Sequence, residues 1–260
     1  MKIVDLNPEH EKSYFLCLED WSDDAREAGN RRELWYGKMK GKGLRVRLAL
    51  DDRGIPGGMI QYLPIEQSTA QGQGLYFVNC IWVHGYKQGR GNFQKKGMGE
   101  ALLKAAEEDA KSLGAQGLAA WGLVLPFRMK ASWYKKHGYK SADRDGIMGL
   151  VWKPFDGQAK PPRWIKRIKK PGKTPGVVTV TSFVNGWCMA QNLVCERAKR
   201  AAGELGGKVV YNEIDTSERS NFMEWGISDG LFIDGKEVRT GPPPSYEKIF
   251  KEIEKKVNKL

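Results

Sequence analysis

One stretch constrains this chain more than any other: an apolar run, Leu75-Tyr76-Phe77-Val78-Asn79-Cys80-Ile81-Trp82-Val83, followed by Phe93-Gln94-Lys95-Lys96-Gly97-Met98-Gly99-Glu100 and then a long helical pattern. The run reads as a buried strand. Ala101, Leu102, Ala105, Ala106, Ala110 and Leu113 recur near a period of 3.6, so the residues from about Gly97 to Leu113 read as a helix, stopped by Gly114. A strand, a glycine-bearing turn and a helix N-terminus together make a seat for an anion. The first amides of a helix have no internal partner, and the helix dipole adds about half a positive charge there. Gly97 and Gly99 let backbone approach the ligand, and Lys95 and Lys96 add charge. The loop lacks the Gly-Lys-Ser/Thr ending that cradles a nucleoside triphosphate, and it lacks the full Gly-x-Gly-x-x-Gly dinucleotide pattern. A bare Gly-x-Gly fits an ordinary helix start equally well.

A second motif lies further along, Ala131-Ser132-Trp133-Tyr134-Lys135-Lys136-His137-Gly138-Tyr139. Gln94-x-x-Gly97-x-Gly99 matches the Gln/Arg-x-x-Gly-x-Gly/Ala loop of the GNAT superfamily of acyl-CoA N-acyltransferases, and Trp133-Tyr134-Lys135-Lys136-His137-Gly138-Tyr139 resembles the aromatic-Tyr-x-Lys-x-Gly-aromatic signature of its later helix. The resemblance covers residues 1 to about 155. It implies a mixed α/β sheet with flanking helices and acetyl transfer from acetyl-CoA to an amine. The coenzyme A pyrophosphate would be held by Gln94, Lys95, Lys96, Gly97, Met98, Gly99 and Glu100, and the pantetheine arm would lie along Ile81, Trp82 and Val83. Tyr134 takes the position of the family's general acid. Many relatives carry a Glu base on the central strand, and this strand has no acid between Leu75 and His84. His84 at the strand end, Glu66 on the preceding strand and ordered water remain as proton acceptors. Pro126-Phe127 replaces the Asn that many relatives carry before the later helix.

The acceptor is expected between the first helix and the second strand. Glu19, Asp20, Asp23, Asp24 and Glu27 cluster there with Trp21 and Trp35. Carboxylates beside indoles suit a cationic amine, and the same acids would also serve as a solvated helix face. Trp21, Asp23, Asp24 and Trp35 are therefore the candidate substrate residues.

At 260 residues the chain has room for two domains. Strand patterns at Ile3–Leu6, Arg45–Leu50, Gly58–Glu66, Leu75–His84, Gly117–Leu125 and Ile147–Trp152, with helices at Glu9–Leu18 and after Gly97, place an α/β domain over 1–155. A proline- and lysine-rich linker is expected over 156–176. Residues 177–260 read strand, helix, strand, helix, hairpin, helix, with an Asp234-Gly235 turn. That order resembles a smaller thioredoxin-like α/β domain, and the pairing resembles the YoaP-type acetyltransferases. A thioredoxin dithiol is not retained, because Cys188-Met189-Ala190-Gln191 lacks the second cysteine and the cis-proline site reads Ser228-Asp229-Gly230. Cys195 lies seven residues beyond Cys188, a helical rise of about 10 Å, which exceeds the reach of a disulfide. Cys188 at a helix start and Cys195 are the reactive-thiol candidates, with inert structural roles as the alternative. No metal site is expected.

The net charge of +12 sits in clusters. Lys160 to Lys173 holds seven Lys or Arg and no acid, Lys38 to Arg47 a second group, and Lys87, Arg90, Lys95 and Lys96 a third that would face coenzyme A. These expectations favour a small-molecule amine over nucleic acid as the partner. They also favour a cytoplasmic protein with no membrane span, and a homodimer is compatible with them. Two other readings stay open: acetylation of a protein lysine, and a non-enzymatic thiol or metal sensor using Cys188 and Cys195.

Overall fold

The computed structural model describes residues 1–125, 129–238 and 242–260. Along the chain the elements are β1 (Lys2–Asp5), α1 (Pro8–Phe15), α2 (Asp23–Glu27), α3 (Arg31–Lys40), β2 (Arg45–Leu50), β3 (Pro56–Pro64), β4 (Ala70–Gln71), β5 (Leu75–Val83), α4 (Met98–Ser112), β6 (Gly117–Leu123), α5 (Ala131–Lys136), β7 (Lys140–Asp145), β8 (Met148–Pro154) and β9 (Arg163–Trp164). There follow β10 (Val178–Val184), α6 (Met189–Leu205), β11 (Val209–Asp215), α7 (Arg219–Trp225), β12 (Gly230–Ile233), β13 (Lys236–Val238) and α8 (Tyr246–Val257). The chain divides into two units, Met1–Trp21 with Gly37–Ile165, and Ser22–Tyr36 with Lys166–Leu260. The expected division at 155 and 176 differs from this. Part of the basic segment joins the first unit through β9, which pairs with β4, and Ser22–Tyr36 joins the second through ion pairs from Asp24, Glu27 and Arg31 to α6 and β11.

The first unit is a seven-stranded mixed sheet in the order β1-β2-β3-β5-β6-β8-β7. Only β5 and β6 run parallel; the other neighbours are antiparallel. One face is closed by α4, which buries Met98, Leu102, Leu103, Ala106 and Ala110 against Ile60, Val78, Leu118, Ala120 and Val151. Burying each such leucine is worth about 1.5–3 kcal/mol. The other face holds Ile65, Leu75, Phe77, Ala119, Leu150 and Trp152. Asp109 pins α4 to the sheet, accepting two hydrogen bonds from Arg45, one from Arg47 and one from the Tyr62 hydroxyl.

Two irregularities in β5 position everything that follows. Gln61 pairs with Cys80 but Tyr62 pairs with Val78, so Asn79 is an extra residue, a β-bulge. On its other side β5 pairs with β6 from Leu75↔Gly117 to Val78↔Ala120 and then stops, although both strands continue, to Val83 and Leu123. The two parallel strands therefore diverge from the bulge onward. The Trp121 indole spans the start of the opening, donating to the Asn79 carbonyl at 2.8 Å.

The second unit has a four-stranded sheet, β11-β10-β12-β13, with β10 and β11 parallel and the rest antiparallel. The element order is the one expected from the sequence. Val178, Val180, Val194, Ala198, Ala201, Ile249, Ile253 and Val257 make its main core between the sheet, α6 and α8.

Candidate active site

The candidate anion seat lies at the N-terminus of α4. Gly97 is the N-cap of α4, with φ +79° and no side-chain cap. That left-handed backbone is comfortable for glycine and strained for other residues. The first intrahelical bond runs from the Ala101 amide to the Gly97 carbonyl at 3.0 Å, so the amides of Met98, Gly99 and Glu100 precede the ladder and are free of it. Lys95 also has a positive φ of 62°. Gln94, Lys95, Lys96, Gly97 and Glu100 are exposed, and Lys96 Nζ lies 5.1 Å from the Phe93 ring centroid. The Gln94 amide is already used, donating to Asn92 Oδ1 at 2.9 Å, which narrows the anion-facing set to the amides after it. Gln94's side chain lies over Gly85, where a Cβ would collide with it.

The seat stands at the open end of the β5–β6 divergence, because α4 follows the C-terminal end of β5. Ile81, Trp82 and Val83 are part-exposed and lie in the stretch of β5 with no β6 partner. On the α4 side, Trp133 packs toward Gly99 and so closes one flank. Tyr134 is 5% exposed within the α4-side core, packed on Tyr139 and Trp133. Burial drives its phenol well above the usual range, and the Cys80 thiol beside it on β5 adds to the shift. The hydroxyl therefore keeps its proton throughout the physiological range.

His84 is not available as a proton relay. It is fully buried, with Nε2 3.0 Å from Trp21 Nε1 and Nδ1 2.7 Å from the Gly91 carbonyl. An indole nitrogen can only donate, so Nε2 accepts and Nδ1 carries the hydrogen. Burial lowers its pKa, Arg90 contributes in the same sense, and the Gly91 and Asp20 contacts oppose. The ring is a neutral clasp for the loop between β5 and α4. Glu66 is equally misplaced. It is exposed in a 3-10 turn beyond β3, accepting from the Gly74 amide at 3.3 Å. Pro64 pairs with Tyr76 and Gly58 with Val83, so Glu66 stands at the far end of β5, roughly 20 Å of strand from the anion seat.

The predicted amine pocket is not assembled either. Trp21 belongs to the loop clasp, and a Cβ on Gly89 would strike its indole. Asp23 pairs with Arg26 at 2.6 Å, and Asp24 and Glu27 pair with Arg197. Trp35 is 2% exposed and packs on Gly186 in the second unit. Arg90, expected to face the anion, is instead buried in the loop, donating to the Pro56 carbonyl at 2.9 Å and pairing with Asp20 at 2.5 Å. Pro126-Phe127 lies outside the described residues.

In the second unit Cys188 is the N-cap of α6 and half-buried, with no side-chain cap bond. Cys195 is 3% exposed, 3.1 Å from the Tyr211 hydroxyl. Burial pushes its thiol up to about 12, against the Tyr211 hydrogen bond and the Arg31 charge, so it is not a reactive thiolate. Neither cysteine is in a disulfide, and no cluster of three or more His, Cys, Asp or Glu able to hold a metal occurs among the described residues. No described helix is long and apolar enough to cross a membrane.

Asn79, Trp121 and the Trp21–His84–Gly91 clasp were not legible beforehand. A bulge leaves no mark in one sequence, and a tryptophan that bonds across a strand divergence looks like any apolar strand residue.

No protein-family model matches the chain, and no curated protein matches it. Among solved structures it is similar to the Escherichia coli GNAT family N-acetyltransferase YhbS in complex with CoA, at 12% identity over 63% of this chain and 88% of that one, TM-score 0.45. It is similar to the PaiA N-acetyltransferase of Thermoplasma acidophilum in complex with coenzyme A, at 19% identity over 60% of this chain and 100% of that one, TM-score 0.43. It is also similar to aminoglycoside 6'-acetyltransferase type Ii, at 17% identity over 61% of this chain and 99% of that one, TM-score 0.45.

Proposed function

We propose that the protein is an acyl-CoA-dependent N-acyltransferase of the GNAT type, moving an acetyl group from acetyl-CoA to a primary amine of a small molecule by direct attack in a ternary complex. The observation that carries this reading is the divergence of β5 from β6 at the Asn79 bulge, beside the uncapped N-terminus of α4. The donor set fits the ligand. The amides of Met98, Gly99 and Glu100, with Lys95 and Lys96, would hold a diphosphate. The edge of Ile81, Trp82 and Val83 that faces away from β3 has no β6 partner and suits an arm of alternating amides lying along it. Bound there, acetyl-CoA would supply the acyl group as an activated thioester.

The chain's own contribution is orientation and one proton. Tyr134 keeps its hydroxyl hydrogen at neutral pH and would protonate the departing sulfur. The C–N bond forms as the C–S bond opens, and the proton lost by the amine leaves through water, since neither His84 nor Glu66 can accept it. We read the second unit as thioredoxin-like and without dithiol exchange, because Cys195 is sealed in its core. That burial also weighs against a thiol sensor. Protein-lysine acetylation remains the alternative acceptor class.

The test is thiol release from acetyl-CoA against a panel of primary amines. Turnover with at least one amine is expected, and Tyr134→Phe should cut kcat by about 10²-fold or more while leaving CoA affinity unchanged. Binding without turnover across the panel, or equal loss of both in the variant, overturns the assignment.

A further inference from the structure

We propose that Trp82 sets acceptor specificity, its indole N–H being reserved for a hydrogen-bond-accepting oxygen carried by the amine substrate. This rests on the transferase reading and names the substrate class that reading leaves open. Ile81 and Val83 pack into the α4-side core. Side chains alternate along a strand, so Trp82 projects to the opposite face of the divergence. It is part-exposed, yet its Nε1 atom is buried and has no hydrogen-bond partner among the described residues. Two other indoles of the same unit have partners within the protein: Trp21 donates to His84 Nε2 and Trp121 to the Asn79 carbonyl. A buried donor left unmet opposes folding, and beside an opened strand pair a ligand atom is one partner that can complete it.

The chemistry of that ligand follows from the donor. An indole N–H cannot accept, so its partner must bring a lone pair. A protonated amine has none, and the group recognised is a hydroxyl, carbonyl or carboxylate oxygen elsewhere on the same molecule. Tyr86 adds an aromatic wall, with its ring centroid 6.4 Å from Trp82 and 5.5 Å from Trp21. Ring faces of this kind suit the cationic end. The substrate class is therefore an oxygen-bearing primary amine rather than a plain alkylamine. A site built to hydrogen-bond a substrate oxygen discriminates strongly against an analogue lacking it, because its own polar group is then stranded.

The experiment compares ω-amino alcohols of about two to six carbons with the n-alkylamines in which methyl replaces the hydroxyl. The wild-type protein should prefer at least one amino alcohol by about tenfold or more in kcat/KM. Trp82→Phe, which keeps a ring and loses the N–H, should bring that ratio close to one. No preference in the wild type, or a preference that survives in the variant, overturns the proposal. A second readout needs neither turnover nor CoA. The indole ¹H–¹⁵N resonance missing from Trp82→Phe should move downfield on titration with the preferred amino alcohol and stay still with its isostere. A resonance indifferent to every amine refutes the role of Trp82 even if acetyl transfer is found. Absence of CoA binding would instead remove the transferase reading, with the titration still deciding Trp82.

Discussion

Replacing Trp21 by Phe should loosen the loop between β5 and α4 without touching the anion seat itself. The indole donates to His84 Nε2 at 3.0 Å, and His84 Nδ1 donates to the Gly91 carbonyl at 2.7 Å. Phe keeps the ring contact with Tyr86 but strands a buried imidazole acceptor, a loss of about 1–3 kcal/mol. Acid should reach the same lock from the other side. A proton on Nε2 would set two donors face to face, and burial holds the folded pKa of His84 below its ordinary value. A base whose folded pKa is depressed contributes stability fully above its unfolded pKa, about 6.5, and loses it as pH falls toward the folded value. Urea titrations of the wild-type protein at pH 7.5 should give the larger stability, with the gap to Trp21→Phe closing toward pH 5. A long-range ¹⁵N spectrum should show His84 as the Nδ1–H tautomer at neutral pH. A variant within about 0.5 kcal/mol of wild type, or a His84 that titrates at an ordinary value, would refute the clasp.

Other consequences can be checked separately. Gly97→Ala forces a side chain into φ +79°, so it should cost about 1–2 kcal/mol in denaturant unfolding and weaken CoA binding by calorimetry. Asp109→Asn removes the charge shared by Arg45, Arg47 and Tyr62 and should cost about 3 kcal/mol in the unfolding of the first unit. Burial alone would raise the Asp109 carboxyl, but hydrogen bonds from Arg45, Tyr62 and Arg47 outweigh it and hold the pKa at about 2. Its stabilising share is thus complete above the ordinary aspartate value and fades as pH falls toward 2, a decline the variant should lack. Cys195 should resist iodoacetamide at pH 8 in the folded protein and react once urea unfolds the second unit, followed by mass spectrometry.

The legible parts were those written in local periodicity. Helix α4 and the apolar β5 run follow from spacing and residue type; of the expected α4 stripe Leu102, Ala106 and Ala110 are buried, Ala101 and Ala105 are half-buried, and Leu113, at the last turn, is exposed. Strand β7 leaves no mark in the sequence, because Lys140-Ser141-Ala142-Asp143-Arg144-Asp145 has no apolar alternation; it lies at the sheet edge and needs none. The first helix, expected to reach Leu18, ends at Phe15, and beyond it Cys17 and Leu18 turn left-handed at φ 57° and 61°. The site residues divide along the same line. Backbone groups of the anion seat were predictable because a helix start has one geometry. The roles of His84, Trp21, Trp35 and Asp24 were not, because an ionisable or aromatic side chain shows its purpose only through partners far off in sequence, such as Trp21 for His84 and Arg197 for Asp24.

Isothermal calorimetry with CoA at moderate salt addresses the central claim most directly. One site per chain is predicted, weakened at least tenfold by Gly97→Ala and left intact by Cys195→Ala. Heats indistinguishable from dilution for CoA and acetyl-CoA with folded protein would contradict it.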